Sequence, residues 1–246
     1  MANLMTTILT DATKEIGVDL SEKNLEDLST FAQMLREKNK VMNLTNIVDD
    51  EGIAIRHFAD SLTVVSYINE EQKKKGKDNL SLIDVGTGAG FPGIPLKVVI
   101  PSLNLTLMDS LQKRLNFLEE VSGELGFSNY GTLHARAEDA GKDKKHREMY
   151  DIATARAVAS LPVLCEYCLP FVKVGGVFLA MKGHSEEEVA ASNKAIAVLG
   201  GKIEKIDEFV LPGTDMNRSI VVVRKTKHTP PQYPRQAGKP SKNPIA

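Results

Sequence analysis

The sequence predicts an α/β fold: a mostly parallel, doubly wound, seven-stranded sheet closed by a terminal antiparallel hairpin. A helical cap precedes the sheet and a basic, proline-rich tail follows it. Three observations carry this expectation. From residue 80 onward, short apolar runs of strand length alternate with helix-length amphipathic segments, the pattern of right-handed parallel crossovers. The last two strand-like runs follow one another with no helix between them. The first seventy residues show helical periodicity instead of alternation.

In the cap, Leu25, Leu28, Phe31 and Leu35 recur at helical spacing, as do Ile55, Phe58, Leu62 and Val65. Asn43-Leu-Thr-Asn46 is a polar break with capping residues between them. Gln72-Lys-Lys-Lys-Gly-Lys-Asp-Asn79 reads as a solvated linker, which sets a cap over 1–72 and a main domain over 79–225. Strands are expected at 80–85, 104–108, 130–134, 151–155, 176–181, 202–210 and 219–224, with helices at 113–125, 161–171 and 185–199. In 226–246, Pro230, Pro231, Pro234, Pro240 and Pro244 predict an extended tail without helix or sheet.

The chain has 246 residues, a formal net charge of −1, 42% hydrophobic residues and no Trp, an ordinary globular composition. The charge is unevenly placed. From Met216 to the end there are seven basic residues and no acid, so the remainder carries −8. Such asymmetry suits a local anionic partner or a solvated tail. Met1–Val18 lacks the basic and apolar regions of a secretory signal, no apolar run approaches membrane-spanning length, and the two cysteines fit a reducing compartment. A cytoplasmic protein, acting as a monomer and without membrane or metal, is expected.

The most informative stretch is Leu82-Ile-Asp-Val-Gly-Thr-Gly-Ala-Gly-Phe-Pro-Gly93. A strand carrying one acid ends in glycines at 86, 88 and 90, where the backbone can turn sharply and approach a ligand without side chains in between. Gly88-Ala-Gly90-Phe-Pro-Gly93 formally matches a dinucleotide fingerprint, so an NAD-dependent dehydrogenase is one reading. Pro92 and Pro95 argue against it, because they remove N–H donors where a pyrophosphate would need them. The glycines also begin one step earlier, as Asp84-x-Gly86-x-Gly88-x-Gly90, the arrangement of S-adenosylmethionine methyltransferases. Asp109, at the end of the next strand, is placed to accept hydrogen bonds from ribose hydroxyls, or to cap the helix that follows. Glu138 lies just past the third strand, where methyltransferase folds place a residue beside the adenine.

The fourth strand bears on the chemistry. After Asp151-Ile-Ala-Thr-Ala155 comes Arg156-Ala-Val-Ala159, not the Asp/Asn-Pro-Pro-aromatic clamp that holds exocyclic amines. Cys165 and Cys168 fall mid-helix, where burial is the simpler reading than a nucleophile or half a zinc site. Arg156 sits at a strand's C-terminal edge, facing the ligand crevice, where it can pair with a carboxylate or phosphate, position a base, or serve a structural ion pair. An acceptor needing neither clamp nor nucleophile is a ring nitrogen with a free lone pair, such as N7 of guanine. Alignment alone then suffices, and no essential general base is expected.

Taken together, the motifs resemble one family, the RsmG (GidB) 16S ribosomal RNA guanine-N7 methyltransferases. The resemblance rests on Asn39-x-x-x-Asn-Leu-Thr45, Arg56-His-Phe-x-Asp-Ser-Leu62, the glycine stretch through Leu96, Asp109-Ser-Leu-x-Lys-Arg114, Arg136-Ala-Glu138, Thr154-Ala-Arg-Ala-Val-Ala159, Lys182-Gly183 and Tyr233-Pro-Arg-x-x-Gly-x-Pro240. It implies a Rossmann-like, class I S-adenosyl-L-methionine methyltransferase fold acting on a guanine in the decoding-region loop of small-subunit rRNA. Cofactor contacts are then expected at Gly86, Gly88, Gly90, Phe91, Asp109, Ala137, Glu138 and Arg156, with Arg156 also the candidate catalytic positioning residue. Arg56, His57, Lys113, Arg114, Arg235 and Lys239 are candidates for phosphate contacts, although Arg56 and Asp60 also stand at helical i,i+4 spacing. Lys38 departs from the family, which commonly has an aromatic there. An RNA-binding assembly factor with a vestigial pocket is the non-enzymatic alternative.

Overall fold

The computed structural model describes residues 4–183 and 186–245. Its sheet comprises β1 (Ser81–Val85), β2 (Asn104–Asp109), β3 (Tyr130–His134), β4 (Tyr150–Arg156), β5 (Val172–Lys182), β6 (Gly201–Val210) and β7 (Asn217–Lys225). The strand order is β3-β2-β1-β4-β5-β7-β6. The first five strands pair in parallel, while β7 runs antiparallel to both β5 and β6.

The hairpin does not simply extend the edge: β7 inserts between β5 and β6. Composition explains the choice. Ile220-Val-Val-Val223 is buried throughout, as an interior strand requires. In β6, Lys202, Glu204, Lys205, Asp207 and Glu208 point charge at an edge that would otherwise invite further pairing.

The cap begins with helices Leu4–Glu15 and Glu22–Met42. Ser21 and Asn24 form a capping box at the start of the second, and Asn43 ends it in the left-handed region at φ 48°. Helical segments Asp50–Gly52, Ile53–Ala59 and Asp60–Leu62 then run on, the middle one a π-helix. This places Arg56 and Asp60 apart: Arg56 reaches Asp49 at 3.9 Å, and Asp60 is held by Arg156 and Arg218. The i,i+4 pair expected from sequence is absent because the stretch is not an α-helix.

One face of the sheet and the cap share a single core, in which Phe31, Phe58 and Leu62 join Leu82, Leu107, Leu179 and Val222. The opposite face, with Ile83, Ala153, Phe178 and Val221, packs on helix Leu161–Cys168. Phe91 of the glycine loop lies 5.3 Å from Phe31 and 6.1 Å from Phe58, ring centre to ring centre, so the cap and the loop are packed as one body. Both cysteines are fully buried in the second core.

The tail departs from its expected form. Its last part contains a short helix, Lys239–Lys242, and the segment lies against the main domain instead of extending away. Proline stands second in that helix, where its missing N–H is not needed.

Candidate functional site

Strand order reverses beside β1, with β2 on one side and β4 on the other, and the carboxyl ends of these strands open a crevice. After Val85 the chain turns at Gly86, φ 74°, and Gly88, φ 60°. The N–H groups of Gly86 and Thr87 both donate to the Met108 carbonyl at 2.9 Å. Beneath the loop Asp84 is fully buried, accepting from Thr87 Oγ1 at 2.7 Å and from the Gly93 N–H at 2.9 Å. Burial pushes its carboxyl up to about 6. Asp84 therefore braces the loop from inside the fold.

Above the loop lies a cavity of about 610 Å³, within the roughly 300–1,000 Å³ of small-molecule sites. Gly86, Gly88, Phe91, Asp109, Ala137, Glu138 and Arg156 all line it, and so do His57 and Arg114. Asp109 accepts from two backbone N–H groups. Its Oδ2 accepts from the Gly88 N–H at 3.0 Å, and its Oδ1 accepts from the Leu111 N–H at 2.9 Å at the head of helix Gln112–Glu124. Arg114 lies 3.3 Å from the same carboxylate.

Gly90 is placed differently. It is absent from the cavity wall, and a Cβ there would meet Ile94 and Leu118 at 2.8 Å and Phe31 at 3.3 Å. It is required by close packing of the cap on the loop. At Gly88, by contrast, a Cβ would meet only the Gly86 carbonyl, at 3.9 Å, and otherwise open space.

Arg156 spans two elements. Its Nη1 donates to Asp60 Oδ2 and to the Arg56 carbonyl, each at 3.0 Å, and its guanidinium lies 5.1 Å from the centre of the Phe91 ring. None of the described residues accepts from its Nε or Nη2. His57 stacks on the other side of the wall, 4.3 Å from Phe91 and 12° from parallel. Its Nε2 meets Thr45 Oγ1 at 2.9 Å, and Asn39 clamps Thr45 by hydrogen bonds to both its N–H and its carbonyl. The Asn39 and Thr45 motif is thus the bracket for His57. Burial, then the charges of Arg156 and Arg56, push the imidazole down to about 3, so His57 is neutral.

The candidate phosphate-contacting residues do not form one cluster. Arg56, Lys113 and Lys239 are exposed, and Arg114 is half-buried at the cavity. Arg235 is committed to Glu166 through its backbone N–H and guanidinium. Lys38 pairs with Glu120 at 2.7 Å and lies 5.9 Å over the Phe117 ring, covering apolar surface that an aromatic would cover. Sequence reasoning missed Thr45, Tyr167, Gly238 and Ser241 on the cavity wall. The last two come from the tail, and only its docking reveals them.

The family model described as GidB, rRNA small subunit methyltransferase G, matches residues 24–220. The chain belongs to that family. It is 52% identical to ribosomal RNA small subunit methyltransferase G of Acetivibrio thermocellus, over 97% of this chain and 96% of that one. Identity to the protein of the same name from Alkaliphilus metalliredigens is 50%, over 97% and 98%. Among solved structures, MtNAS in complex with MTA and tNA aligns with a TM-score of 0.51 at 13% identity, covering 82% of this chain and 71% of that one. The YcgJ protein of Bacillus subtilis aligns at 0.50 and 11%, covering 66% and 99%. These two likenesses concern the fold alone, which is that of class I methyltransferases.

The protein is a methyltransferase, and S-adenosyl-L-methionine is its cofactor. The cavity fits that group: Gly88 leaves the space a side chain would fill, carboxylates stand at two points of the wall, and Arg156 keeps unpaired N–H donors. Among the described residues no cluster of His, Cys, Asp and Glu could hold a metal ion, and no helix is long and apolar enough to cross a membrane.

Proposed function

We propose that this enzyme methylates N7 of a guanine in the decoding-region loop of 16S ribosomal RNA, by in-line attack and without an essential general base. The relatives carry the small-subunit rRNA in their names. The observation that carries the finer reading is the composition of the β4 end of the cavity, where Arg156, Ala157 and Val158 stand. None of these is a nucleophile, an amine clamp or a base. Cys165 and Cys168 are fully buried with thiols pushed up by desolvation, so neither serves as an attacking thiolate. Buried, braced Asp84 is likewise no proton acceptor for substrate.

The cofactor supplies an electrophilic methyl group when bound. Around it, Asp109 is assigned to the ribose hydroxyls, Glu138 to the adenine, and the free N–H groups of Arg156 to the amino-acid carboxylate. Guanine N7 carries a lone pair and no proton, so what the chain must supply is alignment. Phe91, flanked by His57 and Arg156, forms a rigid apolar wall for that purpose. Exposed Arg56 and Lys113 are assigned to phosphates.

The test uses small ribosomal subunits from cells lacking the enzyme, incubated with purified protein and methyl-labelled S-adenosylmethionine. Label on one guanine, at a position that reduction and strand cleavage map as 7-methylguanine, is expected. Label on an exocyclic amine or a pyrimidine carbon would overturn the reading.

A further inference from the structure

The basic tail was expected to extend toward RNA, yet its geometry ties it to the cofactor cavity. Gly238 and Ser241 line that cavity beside Glu138 and Tyr167. The Gly238 N–H donates to Glu138 Oε1 at 2.9 Å, and no described residue hydrogen-bonds Oε2. One carboxylate oxygen is thereby fixed by the tail while the other stays available to a ligand.

Three anchors hold the segment in place. Arg235 grips Glu166, whose side chain is 1% exposed, with Nε to Oε1 at 2.9 Å and Nη2 to Oε2 at 2.6 Å. The Arg235 backbone N–H adds a third bond to Oε1, at 2.7 Å. Upstream, Arg147 donates to the carbonyls of Thr229 and Tyr233 at 2.6 and 2.7 Å. Pro234 is buried against Gly141, where a Cβ would stand 3.0 Å from its ring, one residue beyond the short helix Ala137–Ala140 that carries Glu138. Bidentate, buried pairing of this kind is a specific fastening, unlike the loose contacts of a solvated arm.

We propose that residues 233–242 are a built-in wall of the S-adenosylmethionine site, with Gly238 positioning Glu138 and Arg235 fastening the wall through Glu166. This rests on the assignment of Glu138 to the adenine. The strap bounds the adenosine end of the cavity, sets affinity for the cofactor, and leaves affinity for RNA to other surfaces. Arg235 is a positioning residue whose charge is spent inside the protein.

The test is calorimetric binding of S-adenosylmethionine and of 5′-methylthioadenosine, which keeps the adenosine and lacks the amino-acid end. Three proteins are compared: the intact chain, Glu138→Ala, and the Arg235→Met, Glu166→Gln pair. The paired change avoids leaving a buried carboxylate without its partner. The pair is expected to weaken both ligands by about tenfold, the equivalent of one lost charge-assisted bond. The KM for small subunits at saturating cofactor stays unchanged. If Glu138→Ala weakens binding and the paired change does not, the strap proposal fails. If Glu138→Ala has no effect on either ligand, the adenine assignment itself fails. A raised KM for small subunits with unaltered cofactor binding would make the tail an RNA arm and overturn the proposal.

Discussion

Arg156 donates to the Asp60 carboxylate at 3.0 Å across 96 residues of chain, and Asp60 accepts from Arg218 Nε at 2.9 Å on its other oxygen. One buried carboxylate thus ties β4, β7 and the cap segment just after the π-helix into a single unit at the cavity's edge. Removing it leaves two guanidinium groups without their partner, one of them nearly buried. Asp60→Ala is expected to destabilise the protein by about 3 kcal/mol, the usual result of breaking a buried pair from one side. Urea unfolding measures this. Arg156→Ala, in a protein that stays folded, should lower the methylation rate, and Arg156→Lys should not restore it, because a lysine bound to Asp60 lacks the separate Nε and Nη2 donors that the guanidinium turns to the cofactor. Wild-type rates in either variant would reduce Arg156 to a structural tie.

Two glycines of the loop that follows β1, Gly88 and Gly90, should behave oppositely. Gly88→Val places a side chain where only cavity space exists, at a left-handed φ, so cofactor affinity should fall by more than about tenfold while the cap stays packed. Gly90→Ala drives a methyl into Ile94, Leu118 and Phe31, so it should cost about 1–3 kcal/mol of stability instead. Titrating cofactor into each variant, alongside its thermal unfolding, separates the effects. Equal behaviour would mean that Gly90 also serves the ligand.

The cysteines offer a chemical check on the acceptor. Both are fully buried and their thiols are raised by desolvation. Neither should react with an aromatic disulfide reagent at pH 8 until the protein is unfolded. Cys165→Ala and Cys168→Ala should retain methylation of small subunits despite some loss of stability from the small cavities left behind. A dead variant that still folds would point to a thiolate in the reaction.

Much of the main domain was legible because its signals are local. Tyr130–His134 falls where alternation puts it, and the glycine loop lies between β1 and helix Gly93–Val99 as its spacing demands. The cap's core positions Leu28, Phe31, Leu35 and Phe58 are buried as their period predicts. Illegible were features decided by long-range partners. The Arg56 and Asp60 spacing suggests a pair, but no periodicity announces a π-helix that Arg156 and Arg218 then exploit. Arg235 reads as a solvated cation because its partner, Glu166, lies 69 residues away on a buried helix face. Gly238 stands in the Tyr233–Pro240 motif, but its place at the cavity depends on Glu138, 100 residues away. Gly90 matched a cofactor pattern by sequence alone, and only the nearness of Phe31 shows what it is for.

His57 gives the site a predictable acid response. Burial, Arg156 and Arg56 hold its pKa at about 3, well below the 6.5 of an unfolded chain. A folded value below the unfolded one means that neutral His57 stabilises the protein fully above pH 6.5, and that this contribution drains away as pH falls from there toward 3. At about 1.4 kcal/mol per unit, the loss amounts to several kcal/mol. Asp84 acts in the opposite sense, since its carboxyl is raised from 3.8 to about 6, and it favours the folded state as pH drops through that interval. The two partly cancel, so the wild-type curve alone is uninformative. His57→Gln removes one and keeps the other. The stability difference between wild type and this variant, from urea titrations at pH 7, 5.5 and 4.5, should therefore shrink steadily with acidity, while the folded wild type keeps His57 neutral and stacked on Phe91 throughout that range. A difference that stays constant over that range would mean His57 is not held neutral against Phe91 and contributes only its shape.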